Sequence, residues 1–169
     1  MAKNLILLGM MGVGKSTIGK ILAKKLTFSL FDTDKLIEKK NLMMISEIFK
    51  KRGEDFFREQ EEKISMSCLN GRNKIISLGG GAFINKKIRD TALLNGVSFF
   101  LDLDLKILCS RLEKSKKRPL LTGKNLKANL SSIIQKRQPI YKLANHKINC
   151  NNLKPHEIAD EIINRYEKH

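Results

Sequence analysis

The stretch "NLILLGMMGVGKST", Asn4 to Thr17, decides the fold. Asn4 to Leu8 is a short continuous apolar run, suited to a strand buried on both faces. Gly9 to Thr17 then satisfies G-x-x-x-x-G-K-[ST], between that strand and a helical pattern opening at Lys15. In that setting the backbone N–H groups of the loop and of the helix N-terminus converge on an anion. The glycines let backbone approach phosphates with no Cβ in the way. Lys15 is placed to neutralise the β and γ phosphates, and the Ser16 hydroxyl to help hold Mg²⁺. The sequence therefore predicts nucleotide-phosphate binding through Gly12, Val13, Gly14, Lys15, Ser16 and Thr17.

Outward from this loop, strand and helix patterns alternate. Lys15 to Leu26 carries Ile18, Ile21, Leu22 and Leu26 on one stripe. "TFSLF" reaches Asp32 as a second strand, and a helical pattern runs from Asp34 to about Asn70, interrupted near Arg52-Gly53. "KIISL" is a third strand running into Gly79-Gly80-Gly81. A helix around Lys86 to Leu94 precedes the strand "VSFFL", Val97 to Leu101. Asp104 is expected to cap a helix from Leu105 to Glu113. Lys114 to Asn125, "KSKKRPLLTGKN", has no apolar period and reads as an exposed mobile loop. A helix from about Leu126 to Ala144, disturbed at Pro139, leads to the short strand "HKIN", and Pro155 opens the last helix. The expected architecture is a three-layer α/β/α domain over residues 1–169, with a central parallel sheet of about five strands.

Composition narrows the function classes. The chain has 169 residues, 33 Lys and Arg against 17 Asp and Glu, and a net charge of +16. Of the cations 25 are Lys and 8 Arg, spread along the whole chain, with 6% aromatic residues and no Trp. Nucleic-acid readers favour Arg forks and aromatic platforms, so the charge reads mainly as solvated helix faces with a general attraction for anions. No nucleic-acid partner is expected. No apolar run approaches the roughly 18 to 20 residues of a membrane helix. The three cysteines are widely spaced and odd in number, which fits a reducing cytoplasm and neither a disulfide framework nor a zinc site. A monomer is expected.

Two acidic pairs follow apolar strands: Asp32 and Asp34, and Asp102 and Asp104. Strand C-terminal ends are where ligands sit in open parallel sheets, so either pair can reach the site. A helix-capping task is the plain reading for Asp102 and Asp104, and spacing alone leaves Asp32 and Asp34 open. Three consecutive glycines after a buried strand favour close packing against a substrate over a simple turn. Arg58 and Arg137 offer planar forks matched to a carboxylate. Each also has a surface ion-pair reading, for Arg58 with Glu54, Glu61 or Glu62, and Arg111 can be a simple helix-end cation.

The set formed by the phosphate loop, "DTD", "FFREQE" around Arg58, "GGG", "RPLL" from Arg118 and "RQPIY" from Arg137 to Tyr141 resembles the shikimate kinase family over nearly the whole chain. That family is similar in fold to nucleoside monophosphate kinases, with a small substrate-binding helical region, here about 33–61, and a lid, here about 114–125. The resemblance implies transfer of the ATP γ-phosphoryl group to the 3-hydroxyl of shikimate, a step toward chorismate and the aromatic amino acids. It implies Asp34 as base or orienter, and Arg58, Arg137 and the Gly80 backbone on the shikimate carboxylate, with Gly79 and Gly81 shaping that wall. Asp32 would support Mg²⁺ through water, Arg118 would reach the ATP phosphates, and Arg111 and Pro155 would flank adenine. Asn149 and Cys150 stand where many relatives carry an acidic residue. Two other readings remain open on the residues: a different small-molecule kinase such as a gluconate kinase, and a nucleotide-binding regulatory protein without turnover.

Overall fold

A computed structural model describes residues 3–114 and 125–169. Most of the expected lid, with Arg118, Lys116, Lys117 and Pro119, lies outside them. Five parallel strands form one sheet in the order β2-β3-β1-β4-β5: β1 Asn4–Leu8, β2 Ser29–Asp32, β3 Lys74–Ser77, β4 Gly96–Asp102 and β5 His146–Asn149. The central strand β1 is buried along its whole length, as its unbroken apolar sequence requires. Asn4 at its start is buried but satisfied: its amide donates to the carbonyls of Leu69 and Gly71, and its oxygen accepts from the Lys74 N–H.

Helix α1 (Lys15–Leu26) follows β1, and α2 (Thr33–Asn41) and α3 (Ile45–Leu69) follow β2. Helix α4 (Lys86–Asn95) joins β3 to β4, α5 (Leu105–Glu113) and α6 (Leu126–Tyr141) follow β4, and α7 (Pro155–Tyr166) follows β5. The crossover from β1 to β2 travels one way along the sheet, and those from β2 to β3 and β3 to β4 travel the other. Right-handed crossovers running in opposite directions lay their helices on opposite faces. Accordingly α1 packs with α7, and α3 packs with α4. This is the expected three-layer arrangement. The order reverses around β1, which opens a crevice at the strands' C-terminal ends.

Three local expectations are corrected. The helical pattern after Asp32 is two helices, separated where Leu42 adopts a left-handed conformation (φ 51°) as the end of α2. The expected break at Gly53 is present (φ 83°), but helix resumes beyond it. Asp104 occupies the N-cap position of α5 without a side-chain cap bond; its carboxylate accepts instead from the Asn151 amide at 2.9 Å. Helix α6 runs through Pro139 and stops at Tyr141, three residues short of the expected end. Pro139 lacks the N–H that would bond the Gln135 carbonyl, and the helix ends within one turn of it.

The sheet also depends on close approach at Gly96, where β4 begins beside β1. A Cβ there would lie 2.6 Å from Ile6 Cδ1 and 2.7 Å from the Asn4 carbonyl oxygen. Backbone cannot yield as a side chain can, so Gly96→Ala should destabilise the fold by about 1–3 kcal/mol. Thermal unfolding checks this, with a lowered Tm as the expected outcome and an unchanged Tm contradicting it.

Candidate active site

The phosphate loop turns on Gly12 (φ 81°) and Gly14 (φ 106°), left-handed positions where a side chain would be strained. Lys15 folds back over the loop and donates to the carbonyls of Gly9 at 2.7 Å and Met10 at 3.1 Å. Its ammonium is thereby tied to the backbone at the start of the loop. Ser16 and Thr17 lie in the first turn of α1. From the neighbouring helix end, Arg111 donates to the carbonyls of Gly12 and Val13 at 3.3 and 3.1 Å, bracing the loop from outside.

Asp32 closes β2 and N-caps α2, accepting from the Lys35 N–H. Its other oxygen accepts from the Ser16 hydroxyl at 2.5 Å. Hydroxyl and carboxylate oxygens at one point are hard donors that suit Mg²⁺. Among the described residues no three acidic, His or Cys side chains gather to hold a metal. Asp102 pairs with Lys147 at 2.7 Å and Asp104 with Asn151, and Asp102 also lines a cavity with Met10 and Val13 of the phosphate loop.

The opposite wall is the backbone of Gly79 to Gly81. A Cβ at Gly79 would collide with the Asp34 carboxylate and lie 3.1 Å from Glu61 Oε1. One at Gly80 would lie 3.1 Å from Arg137 Nη1, and one at Gly81 would lie 2.5 Å from Arg58 Nη1. Three bare Cα positions thus admit charged groups from α2, α3 and α6. Thr33, buried between the aspartates, accepts from the Gly79 N–H at 2.9 Å and donates to the Ser77 carbonyl at 3.3 Å. It locks α2 to the glycine segment.

Arg58 does make the ion pairs the sequence allowed, with Glu54 and Glu61 but through different nitrogens, at 3.1 and 2.7 Å. Glu62 instead pairs with Lys87 and Asn85. Burial alone would weaken the Arg58 cation, and its two carboxylate partners outweigh that. Glu61 is only 3% exposed. Burial pushes its carboxyl above the ordinary carboxylate range; Arg58 opposes the rise and the Asp34 charge adds to it. Nη1 of Arg137 is buried with no hydrogen-bond partner among the described residues, a donor open to a ligand acceptor.

The structure therefore joins Lys15, Ser16 and Asp32 on one side, and Asp34, Arg58, Arg137 and the three glycines on the other. Pro155 occupies the first turn of α7. Sequence reasoning passed over Thr33, Glu61 and Tyr141 as site residues. Thr33 and Tyr141 lay inside the motifs "DTD" and "RQPIY", and Glu61 was visible as an ion-pair partner only.

A phosphate loop at the switch point of a parallel sheet, facing a carboxylate flanked by two guanidinium groups, defines a P-loop kinase for a small acidic acceptor. Comparison with known proteins specifies it. The family model for shikimate kinase matches residues 11–167. A shikimate kinase of Thermodesulfovibrio yellowstonii is 38% identical over 166 residues, covering 98% of this chain and 96% of that protein. One of Bacillus subtilis is 40% identical over 163 residues, covering 95% and 87%. The solved structure of the Acinetobacter baumannii shikimate kinase in complex with shikimate superposes with a TM-score of 0.94 at 29% identity, covering 99% of this chain and 94% of that one. The chain belongs to the shikimate kinase family.

Glu61 generates a pH prediction. Its folded-state carboxyl keeps a proton at pH values where the unfolded chain, with an ordinary value of 4.5, has released it. The unfolded state then binds fewer protons, so Glu61 lowers stability as pH rises through that window. Glu61→Gln should lose less stability than the parent between about pH 5 and pH 7. Urea unfolding at both pH values measures the difference, and equal losses would refute it.

Proposed function

We propose that this chain transfers the γ-phosphoryl group of ATP to the 3-hydroxyl of shikimate, giving shikimate 3-phosphate and ADP on the route to chorismate and the aromatic amino acids. The observation that carries the reading is the convergence of Asp34, Arg58 and Arg137 on one glycine backbone beside the phosphate loop. A carboxylate acceptor meets two planar forks there, and its hydroxyl meets a carboxylate. Gluconate kinase shares the phosphate loop but not this reading of the family, and a regulatory protein without turnover does not need the acceptor wall.

In this reading the acceptor hydroxyl oxygen forms a bond to the γ phosphorus while the bond to the β,γ-bridging oxygen breaks, and ADP leaves. Asp34 orients the hydroxyl and takes its proton. Lys15 and the loop N–H groups neutralise charge that spreads over the phosphoryl oxygens. Mg²⁺, held by Ser16 and by Asp32 through water, would supply further charge neutralisation at the β and γ phosphates. Arg111 carries the loop at its outer side, where adenine would lie with Pro155. Arg118 is assigned to the ATP phosphates by resemblance.

ADP release measured with shikimate and gluconate side by side tests the acceptor. Turnover with shikimate is expected, and turnover with gluconate alone would overturn the reading. Asp34→Asn keeps the shape of the side chain but removes its charge and basicity, so kcat should fall by roughly 10²-fold or more. ATP binding should persist, and near-parental turnover would mean another group handles the proton. Arg58→Lys and Arg137→Lys should weaken shikimate binding by roughly 10- to 100-fold, with little effect on ATP, because one ammonium cannot replace a two-pronged contact.

A further inference from the structure

Tyr141 ends α6 with 1% of its surface exposed. Its ring packs on Phe100, centroids 5.1 Å apart, and its hydroxyl lies 4.0 Å from the Met10 sulfur in the phosphate loop. That hydroxyl donates to the carbonyl of Gly80. Burial raises the phenol above its ordinary value, with the neighbouring Arg137 cation opposing, so the group stays a donor at neutral pH. Arg137 precedes Tyr141 by one helical turn, which sets the two side chains on the same face of α6. One grips the Gly80 carbonyl while the other lies over the Gly80 Cα.

A run of three glycines has wide backbone freedom and cannot fix its own peptide planes. In a planar trans peptide the N–H points opposite to the C=O. Anchoring the Gly80 carbonyl on Tyr141 therefore directs the Gly81 N–H away from Met10 and Phe100. On the Gly81 side of the segment stands Arg58.

We infer that Tyr141 is a positioning residue for the acceptor: its hydroxyl holds the Gly80–Gly81 peptide so that the Gly81 N–H faces the shikimate carboxylate together with Arg58 and Arg137. This rests on shikimate being the acceptor. The role is distinct from packing, because the ring fills the interior and the oxygen alone orients the peptide.

Tyr141→Phe separates the two. The variant keeps the ring and its packing on Phe100 and loses the hydroxyl, with its bond to Gly80 and its contacts to Met10 and Arg137. Its KM for shikimate should rise roughly 5- to 20-fold while its KM for ATP stays within about twofold of the parent. A packing role alone would lower the active fraction or the Tm and leave both KM values in place; that result, or an equal rise in both, overturns the inference. Parental turnover with shikimate is measured alongside: its absence would overturn the acceptor and this inference together, whereas a parental variant KM would overturn this inference alone. A second measurement needs no altered Tyr141. The chain has two tyrosines, so 3-fluorotyrosine labelling gives two ¹⁹F resonances, and Tyr166→Phe identifies the one from Tyr141. Saturating shikimate should shift that resonance, and an unmoved signal would again overturn the inference.

Discussion

Two guanidinium groups and two carboxylates reach one short stretch of main chain because Gly79, Gly80 and Gly81 leave nothing in their way. Asp34 arrives from α2 and Glu61 from α3, both against Gly79, while Arg137 from α6 lies against Gly80 and Arg58 from α3 against Gly81. Any side chain at Gly79 would meet a carboxylate, and any at Gly81 a guanidinium. The segment has ordinary negative φ values, so its glycines serve close approach rather than a special turn. The placement of α2, α3 and α6 around the sheet is organised by this shared contact.

Charge balance across that wall is uneven, and the unevenness gives it direction. Arg58 is held by Glu54 and by the buried Glu61, so much of its donor capacity is spent on holding its own position. Arg137 keeps a buried nitrogen with no hydrogen-bond partner among the described residues. Leaving a buried donor unpaired costs about 1–3 kcal/mol, and more for a charged group. In the proposed reading an acceptor carboxylate that pairs with it would recover that cost. Glu61 serves the same end from the other side, trading its own ease of ionisation for a fixed Arg58.

Strands, the phosphate loop and the three glycines were readable in the sequence, since each depends on local pattern: unbroken apolar runs, glycine spacing, and a helix opening at Lys15. What escaped depends on partners distant along the chain. Asp104 looked like a helix cap because its binding partner, Asn151, lies 47 residues away. Helical periodicity placed Glu61 one turn from Arg58 but could not show that this turn faces a glycine backbone beyond β3. Leu42 carries no glycine or proline signal, yet it adopts the left-handed conformation that divides α2 from α3. Tyr141 stood in the sequence only as the end of "RQPIY", and its oxygen is bonded to a residue 61 positions earlier.

The two halves of the site are held at a fixed separation by the sheet itself. Strands β1 and β3 are adjacent, with Leu7 paired to Ser77 and the Leu78 N–H bonded to the Leu7 carbonyl. Gly9 and Gly79 each follow two residues after a paired position, so the phosphate loop and the glycine wall leave the sheet at the same level. Neighbouring strands lie about 4.8 Å apart, and a Cβ at Gly80 would be 3.8 Å from the Gly9 carbonyl and 3.7 Å from the Met11 nitrogen. The phosphate loop and the glycine segment are therefore set relative to one another by the pairing of buried strands, not by flexible side chains. Tyr141 adds a third tie, touching Met10 on one half and Gly80 on the other. A site arranged this way fixes the approach of the reacting atoms first, which phosphoryl transfer requires because most of its catalysis is positioning and charge stabilisation.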